Sequence, residues 1–349
     1  MAGFTPSLDP ADARRTLAEL IQPHLDRDSF ARCIDDLQHM YSSCCAYCPY
    51  PFAGYGLRAT PEISYQCEQW LPLDELRPHF HRFYRRALTY PPVLSSTPFA
   101  SSASWAGIVA RFPPFLHHFD NPAKLFEQLL ADAGLRTKFL FWSFMPERFY
   151  GSGSDRYPGQ SATIAEWIQE RHYRGKHMRC LDAASGDGAN TYGVARLLVE
   201  RGWLPDRLDL EGWTLEPLEA WAAAYGRFPH DPARERLFRA GSADCFERGY
   251  ATAIRFCCVN ILDAPEAELF DLILCNGLLG GPLIHDRREM DTAVRNLTGL
   301  LAPGGMLLAA DHFHGGWKQK CPQDELRAVF EMNGLVTIEA AEGIAALKP

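Results

Sequence analysis

Residues 179–188 read RCLDAASGDG, and this stretch decides the fold of the C-terminal half of the chain. Its apolar residues up to Ala184 predict a short buried strand, and Gly186 and Gly188 predict a turn into a helix. Because glycine has no Cβ, the backbone of such a turn can approach a ligand closely. A plain strand-to-helix turn is the alternative interpretation. A dinucleotide site would need a third glycine where this chain has Thr191.

Strands alternate with helices from this turn to the C-terminus. Because that alternation is typical of a doubly wound parallel sheet, we expect an α/β fold with seven strands. Ligands of such sheets bind beyond the carboxyl ends of the strands, at the point where the strand order reverses. The predicted strands are Arg179–Ala184, Leu208–Leu215, Ile254–Asn260, Phe270–Cys275, Met306–Asp311, Val336–Ala340 and Ile344–Leu347.

The N-terminal half has a different pattern, which is helical wherever it is periodic. A Gly/Ser-rich stretch at Gly151–Ser161 predicts a domain boundary. We therefore expect a mainly helical domain at residues 1–150, acting as a substrate cover or a homodimer interface, and a ligand-binding domain at residues 151–349. The predicted helices are Ala11–Ile21, Ser29–Tyr41, Leu73–Leu88 and Pro122–Ala133.

The composition limits the classes of partner. The 349 residues carry a formal net charge of -8 and form no Lys/Arg stripe, so we expect no nucleic acid. There is no apolar signal region and no run of about 18 apolar residues, so we expect a cytoplasmic chain without a membrane segment. The 11 cysteines are odd in number, which favours reduced thiols. Cys44, Cys45 and Cys48 lack a second C-x-x-C pair, so we expect no metal.

Later motifs add to the glycine turn. Asn260 is predicted to end a strand between apolar neighbours, an arrangement that suits an adenine ring. Residues 270–273 then read FDLI, and residues 301–305 read LAPGG. In this order the motifs resemble those of the class I S-adenosylmethionine (SAM) dependent methyltransferases. The resemblance covers about Arg179 to Asp311 and is specific as a set.

The resemblance implies SAM as cofactor and S-adenosylhomocysteine (SAH) as product. It also implies an acidic residue after the second strand that accepts the ribose hydroxyls, for which the candidate is Glu216. A carboxylate favoured by the dipole of the following helix is the alternative explanation of Glu216. The expected cofactor-binding residues are Asp182, Ala184, Ser185, Gly186, Gly188, Glu216, Asn260, Ile261, Leu262, Cys275, Asn276 and Gly277.

Within that superfamily the motifs look most like those of the chemotaxis-receptor glutamate methyltransferases. The likeness lies in residues 183–186 (AASG), in Asn260-Ile261-Leu262 and in His312. The chain departs from that family around the transferred methyl group. Gly151 stands where the family has an arginine, and Gly281 stands where it has a tyrosine. We therefore expect a retained cofactor half and a changed acceptor half.

Candidates for the acceptor half lie on both sides of the domain boundary. Trp142, Arg148 and Tyr150 belong to an aromatic segment that we expect to cover a small-molecule acceptor, although core packing explains aromatic runs equally well. Arg148 and Tyr150 are also candidate catalytic residues, together with His312 and His285, which are the candidate bases. The predicted reaction is methylation of a small organic acceptor, with O-methylation of a carboxylate or hydroxyl favoured. A protein glutamate methyltransferase and a non-catalytic SAM-binding protein are the alternatives.

Overall fold

A single mixed sheet organises the C-terminal half of the chain. The computed structural model describes residues 3–48, 59–145, 157–170, 177–263, 266–281, 283–310 and 321–349. Within them the sheet has eight strands rather than the seven expected, in the order β1-β4-β3-β2-β5-β6-β8-β7. The strands are Gly3–Phe4 (β1), Met178–Asp182 (β2), Leu208–Thr214 (β3), Ile254–Cys258 (β4), Phe270–Leu274 (β5), Leu301–Ala309 (β6), Val336–Ile338 (β7) and Ile344–Leu347 (β8).

The five central strands, β2 to β6, run parallel to one another. From β2 the chain adds β3 and β4 on one side and then returns to place β5 on the other side of β2. The strand order therefore reverses between β2 and β5, as a doubly wound sheet requires. The last strand, β8, lies antiparallel between β6 and β7.

The additional strand comes from the N-terminal end of the described chain. β1 pairs antiparallel with β4, with Gly3 opposite Cys257 and Phe4 opposite Phe256. Two residues are too few to show the alternation by which a strand is recognised in a sequence. The sequence pattern therefore gave no indication of β1.

Fourteen helices accompany the sheet within the described residues. Several begin with a proline in the first turn, where its missing N–H costs nothing. In chain order they are Pro10–Leu20 (α1), Ala31–Tyr47 (α2), Pro61–Trp70 (α3), Leu73–Ala87 (α4), Pro98–Ser101 (α5), Trp105–Val109 (α6), Pro122–Ala131 (α7), Ala133–Phe144 (α8), Pro158–Glu170 (α9), Ala189–Glu200 (α10), Pro217–Tyr225 (α11), Pro232–Glu247 (α12), Arg287–Leu300 (α13) and Gln323–Met332 (α14).

Contacts divide the chain into two units that differ from the predicted division at residue 150. The sheet unit comprises Met1–Ala13, Tyr150–Arg227 and Ala233–Pro349. The helical unit comprises Arg14–Phe149 and Phe228–Pro232. The first thirteen residues thus group with the sheet, because β1 pairs with β4.

The helical unit has an aromatic core. Phe80 lies at its centre and is fully buried, with ring centroids 4.1 Å from Phe99 and 5.4 Å from Phe126. Arg136 is 1% exposed, and its guanidinium donates to the carbonyls of Leu129 and Pro23. Since a buried charge needs partners, these bonds explain how the core accommodates an arginine. None of the helices in the described parts of the chain is long and apolar enough to cross a lipid bilayer.

Candidate functional site

The carboxyl ends of the parallel strands bring several polar side chains to one edge of the sheet. Asp182 ends β2, Thr214 ends β3 and Cys258 ends β4, with Asn260 two residues further on. Asn276 follows the end of β5 on the other side of the strand reversal. This edge is where a doubly wound sheet binds its ligand.

The glycine turn after β2 is fixed by tight packing. Gly186 and Gly188 have φ angles of +51° and +82°, which other residues rarely adopt. A Cβ on Gly188 would lie 2.7 Å from the Ala223 Cβ and 2.8 Å from the Phe256 ring. Ser185 joins the turn to β3, since its backbone N–H and its hydroxyl both donate to the Trp213 carbonyl. The turn therefore packs against Ala223 and Phe256 and is hydrogen-bonded to the end of β3.

Asp182 has a buried carboxyl group with one oxygen that lacks a partner. Its Oδ2 accepts hydrogen bonds from Thr191 Oγ1 at 2.9 Å and from Asn190 Nδ2 at 3.2 Å. Its Oδ1 is buried without a hydrogen-bond partner among the described residues, although the Ala184 amide is close enough to lower the pKa. Burial outweighs these contacts and raises the pKa of Asp182 to about 6. Such an acceptor suits a cationic donor on a ligand.

Two glutamates lie at the start of α11. Glu216 is 4% exposed and caps the helix, because its Oε1 accepts the Leu218 N–H at 3.2 Å. Its contact with a ribose remains a prediction. Glu219 is half-buried, and its Oε2 accepts a hydrogen bond from Thr214 Oγ1 at 2.5 Å. Burial raises the pKa of Glu219 to about 8, and the nearby Arg234 opposes this rise.

An ion pair connects the glycine turn to α12. Arg234 Nη2 lies 2.5 Å from Asp187 Oδ2, and the two side chains are only 14% and 13% exposed. An arginine thus offsets one of the acidic charges at this edge. Arg234 lies far from the turn in sequence, so local sequence patterns gave no indication of the pair.

The segment after β4 contains Asn260, for which an adenine contact was predicted. Asn260 Oδ1 accepts the Leu262 N–H at 3.1 Å, so the amide oxygen is partly used within its own turn. Asn260 is half-buried, and its Nδ2 is the side-chain group that can donate to a ring nitrogen. Ile261 is 4% exposed and Leu262 is half-buried, so both belong mainly to the core beneath the site.

The residues after β5 are neutral, whereas those after β2 and β3 include carboxylates. Asn276 and Gln160 exchange two hydrogen bonds, of 2.7 Å and 3.0 Å, and Gln160 is 1% exposed. Asn276 Oδ1 also accepts the Ala310 N–H at 2.9 Å. Cys275 is 1% exposed. Gly277 has φ +73°, and no other atom of the described chain lies within 4 Å of the position that a Cβ would take.

Arg148, Tyr150 and His312 lie outside the described residues. His285 is exposed just before α13. A Cβ on Gly280 would lie 3.1 Å from Cys321 Sγ, so this glycine permits close packing rather than leaving open space.

The predicted acceptor and thiol residues of the helical unit lie in or beside its core. Trp142 is 8% exposed and packs against Phe112 and Phe139, so its role as an acceptor contact remains a prediction. Cys44 Sγ lies 3.5 Å from Cys48 Sγ. All 11 cysteines are free thiols, and the described part of the chain has no His, Cys, Asp or Glu group arranged to hold a metal.

Comparisons with known proteins find likeness at the level of fold. No family model and no curated protein matches the chain. The N-methyltransferase NodS from Bradyrhizobium japonicum WM9, solved with SAH, is 17% identical over 62% of this chain and 100% of its own, with a TM-score of 0.36. TehB from Haemophilus influenzae is 12% identical over 53% of this chain and 62% of its own, with a TM-score of 0.32. At these identities and TM-scores the likeness carries no functional argument.

Proposed function

We propose that the sheet unit binds SAM at the carboxyl ends of β2 to β5 and transfers its methyl group to a small organic acceptor. The observation that carries the proposal is the buried, unpartnered Oδ1 of Asp182 beside a tightly packed glycine turn at the strand reversal. A buried acceptor without a donor is costly unless a ligand supplies one. The α-ammonium group of SAM is a donor of the required charge.

Other residues of the edge fit the remaining parts of the cofactor. Asn260 can donate from Nδ2 to the adenine, whose faces need apolar neighbours of the kind that Leu262 offers. Glu216, at the start of α11, is the carboxylate that we expect to accept hydroxyl donors of a ribose. When bound, SAM would supply a methyl group on a sulfonium: the acceptor would bond to the methyl carbon as the methyl–sulfur bond breaks, and SAH would be left as the thioether product.

The chain's own contribution to the reaction is positioning. In-line transfer needs the acceptor aligned with the methyl group, and alignment can lower a barrier by about 7–11 kcal/mol in favourable cases. The amide pair of Asn276 and Gln160 forms a rigid, uncharged boundary after β5. An acceptor that is already a carboxylate needs no base. Because a carboxylate acceptor would be methylated on an oxygen, we favour O-methylation.

Two other functions stay open as outcomes of the same experiments. A protein glutamate methyltransferase is the closest alternative in sequence pattern, but Gly151 and Gly281 stand where that family has arginine and tyrosine. Base-labile methyl groups on a chemoreceptor fragment would favour it. A protein that binds SAM without turnover would show SAH binding but no methylated product from any extract.

Calorimetric titration with SAH is the direct test. We expect binding to the wild type and loss of binding in Gly186→Val, because a β-branched residue is strained at a φ of +51°. Gly241→Ala is the matched control, since a Cβ there meets no other atom within 4 Å. Equal affinity in the wild type and Gly186→Val would refute the site. Labelled SAM and a lysate of the source organism would then identify the acceptor by size.

A further inference from the structure

Three cysteine thiols of the helical unit lie together where the end of α2 packs against α3. Cys44 lies in the last turn of α2, Cys48 directly follows that helix, and Cys67 lies on α3. The Cys44 and Cys48 sulfurs are 3.5 Å apart. The Cys44 thiol also forms a hydrogen bond with the Cys67 sulfur. Cys44 is therefore the central thiol of the cluster.

The three thiols differ in their access to solvent. Cys44 and Cys67 are both 0% exposed. Cys48 is half-buried, and its thiol donates to the Gln66 carbonyl at 3.5 Å. A small solute that diffuses to the cluster therefore reaches Cys48 first. The exposed thiol of Cys45 is hydrogen-bonded to a different side chain, that of a tyrosine on the same helix.

The two buried thiols differ in their tendency to ionise. The hydrogen bond from Cys44 lowers the pKa of Cys67. Burial opposes this effect, and the backbone amides of Ala106 and Trp105 reinforce it. The bond to Cys67, together with burial, raises the pKa of Cys44, which therefore stays protonated. Because the thiolate is the form that attacks a disulfide, Cys67 is the nucleophile of the buried pair.

We propose that the cluster is a site of peroxide-dependent disulfide formation, in which Cys48 is oxidised first and the final disulfide joins Cys44 to Cys67. The Cys48 sulfur attacks one oxygen of hydrogen peroxide, which gives a sulfenic acid and a water. The Cys44 thiol displaces the hydroxyl group as a second water, and a Cys44–Cys48 disulfide forms. Cys67 then attacks the Cys44 sulfur, and Cys48 leaves as a thiolate that takes up a proton. Two thiols are oxidised in total, and one peroxide is reduced to two waters.

The final disulfide is favoured by the positions of its two cysteines. Cys44 and Cys48 are four residues apart, whereas Cys44 and Cys67 lie on two helices that pack together and close a much longer loop. A disulfide that closes a longer loop removes more conformational entropy from the unfolded chain. The Cys44–Cys67 bond is also buried, so a reductant in solution reaches it slowly.

Peptide mapping of the full chain after treatment with hydrogen peroxide tests the proposal. Trypsin leaves Cys44 and Cys48 on one peptide, residues 33–58, and Cys67 on another, residues 59–82. The final disulfide therefore joins two peptides, whereas a Cys44–Cys48 disulfide closes a loop within one. We expect the joined peptides in the wild type when the remaining thiols are blocked with N-ethylmaleimide before digestion. Dithiothreitol should separate them.

Variants show what each thiol contributes. Cys67→Ser should stop at the loop within residues 33–58. Cys48→Ser should form the joined peptides about tenfold more slowly, because peroxide must then reach a buried thiol. Cys45→Ser is the matched control, since it removes an exposed thiol beside the cluster and should behave as the wild type does.

The wild type and the two variants of accessible thiols decide the proposal even if Cys67→Ser does not fold. Absence of the joined peptides in the peroxide-treated wild type would refute the disulfide. A wild-type rate in Cys48→Ser would refute the entry of peroxide at Cys48. Loss of the joined peptides in Cys45→Ser would show that Cys45, and not Cys44, is the partner of Cys67. None of these measurements depends on the binding of SAM or SAH.

Discussion

The two halves of the sheet edge differ in charge. The half at β2, β3 and β4 carries four carboxyl groups, from Asp182, Asp187, Glu216 and Glu219, with Arg234 as the paired cation. The half after β5 is occupied by an amide pair and a glycine with open space around it. The charged half suits the hydroxyl and ammonium donors of the proposed cofactor, and the neutral half suits the proposed methyl acceptor. The two halves of one sheet edge thus offer different chemistry to the two proposed ligands.

The largest expected effect concerns the glycines of the two halves. Gly188→Ala should lower the free energy of unfolding by about 3–4 kcal/mol, because the left-handed backbone and the overpacking against Ala223 and Phe256 both cost energy. Gly277→Ala should cost only about 1–2 kcal/mol, since its space is open. Urea unfolding of the two variants measures the difference. Equal losses of unfolding free energy in the two variants would show that backbone strain alone sets the cost of a side chain at both glycines.

The buried carboxyl group of Asp182 should make stability depend on pH. Burial raises its pKa to about 6 in the folded protein, above its ordinary value of 3.8. The folded state therefore binds this proton more tightly, and the stabilisation is present below about pH 4 and lost as the pH rises through 6. Unfolding of Asp182→Asn should be less pH-dependent than that of the wild type between pH 4 and 7. If the stabilities of the wild type and Asp182→Asn changed with pH in the same way, the Asp182 carboxyl group would not be desolvated.

The neutral half should depend on the amide pair. Gln160→Ala removes two hydrogen bonds from Asn276 and should cost about 2 kcal/mol of unfolding free energy. The control is Gln128→Ala, an exposed helical position that should stay within about 0.5 kcal/mol of the wild type. If Gln160→Ala also left the free energy of unfolding within about 0.5 kcal/mol of the wild type, the amide pair would not stabilise the boundary after β5.

The smallest effect is expected at the start of α11. Glu216→Ala should cost about 1 kcal/mol, because the Leu218 N–H loses its capping acceptor. Glu216→Gln should retain most of that energy, since its side-chain oxygen can still accept the bond. A thermal melt of both variants separates capping from charge, and a larger loss in Glu216→Gln would assign the contribution to charge.

Much of the sheet was predictable because its strands are buried on both faces and read as short apolar runs. The predicted strand Ile344–Leu347 has the observed bounds, and Phe270–Cys275 differs from β5 by one residue. The helix predicted at Pro122–Ala133 is two helices, because the Asp132 side chain caps a new helix at Ala133. The apolar residues continue across the junction of these two helices, so their spacing does not show where the first helix ends.

The candidate site was predictable where its residues follow a strand directly. Asp182 and the glycine turn lie at and just after the end of β2, whereas Asn260, which was predicted to end its strand, lies two residues beyond the end of β4. Glu219, Arg234 and Gln160 were not identified, because their roles depend on contacts with residues distant in the fold or on a capping arrangement. For Glu219 the only available signal was its spacing of three residues from Glu216, which places both on one face of a helix.

The pairing of β1 with β4 has a consequence for the order in which the chain acquires structure. Gly3 and Cys257 are separated by about 250 residues, so β1 has no strand to pair with until the ribosome has made most of the protein. Contacts of such long range form slowly because of the entropy of closing the intervening loop. An exposed strand edge is also a template for unwanted pairing with other chains. Removing residues 3–9 should therefore increase aggregation during refolding more than it lowers the equilibrium stability.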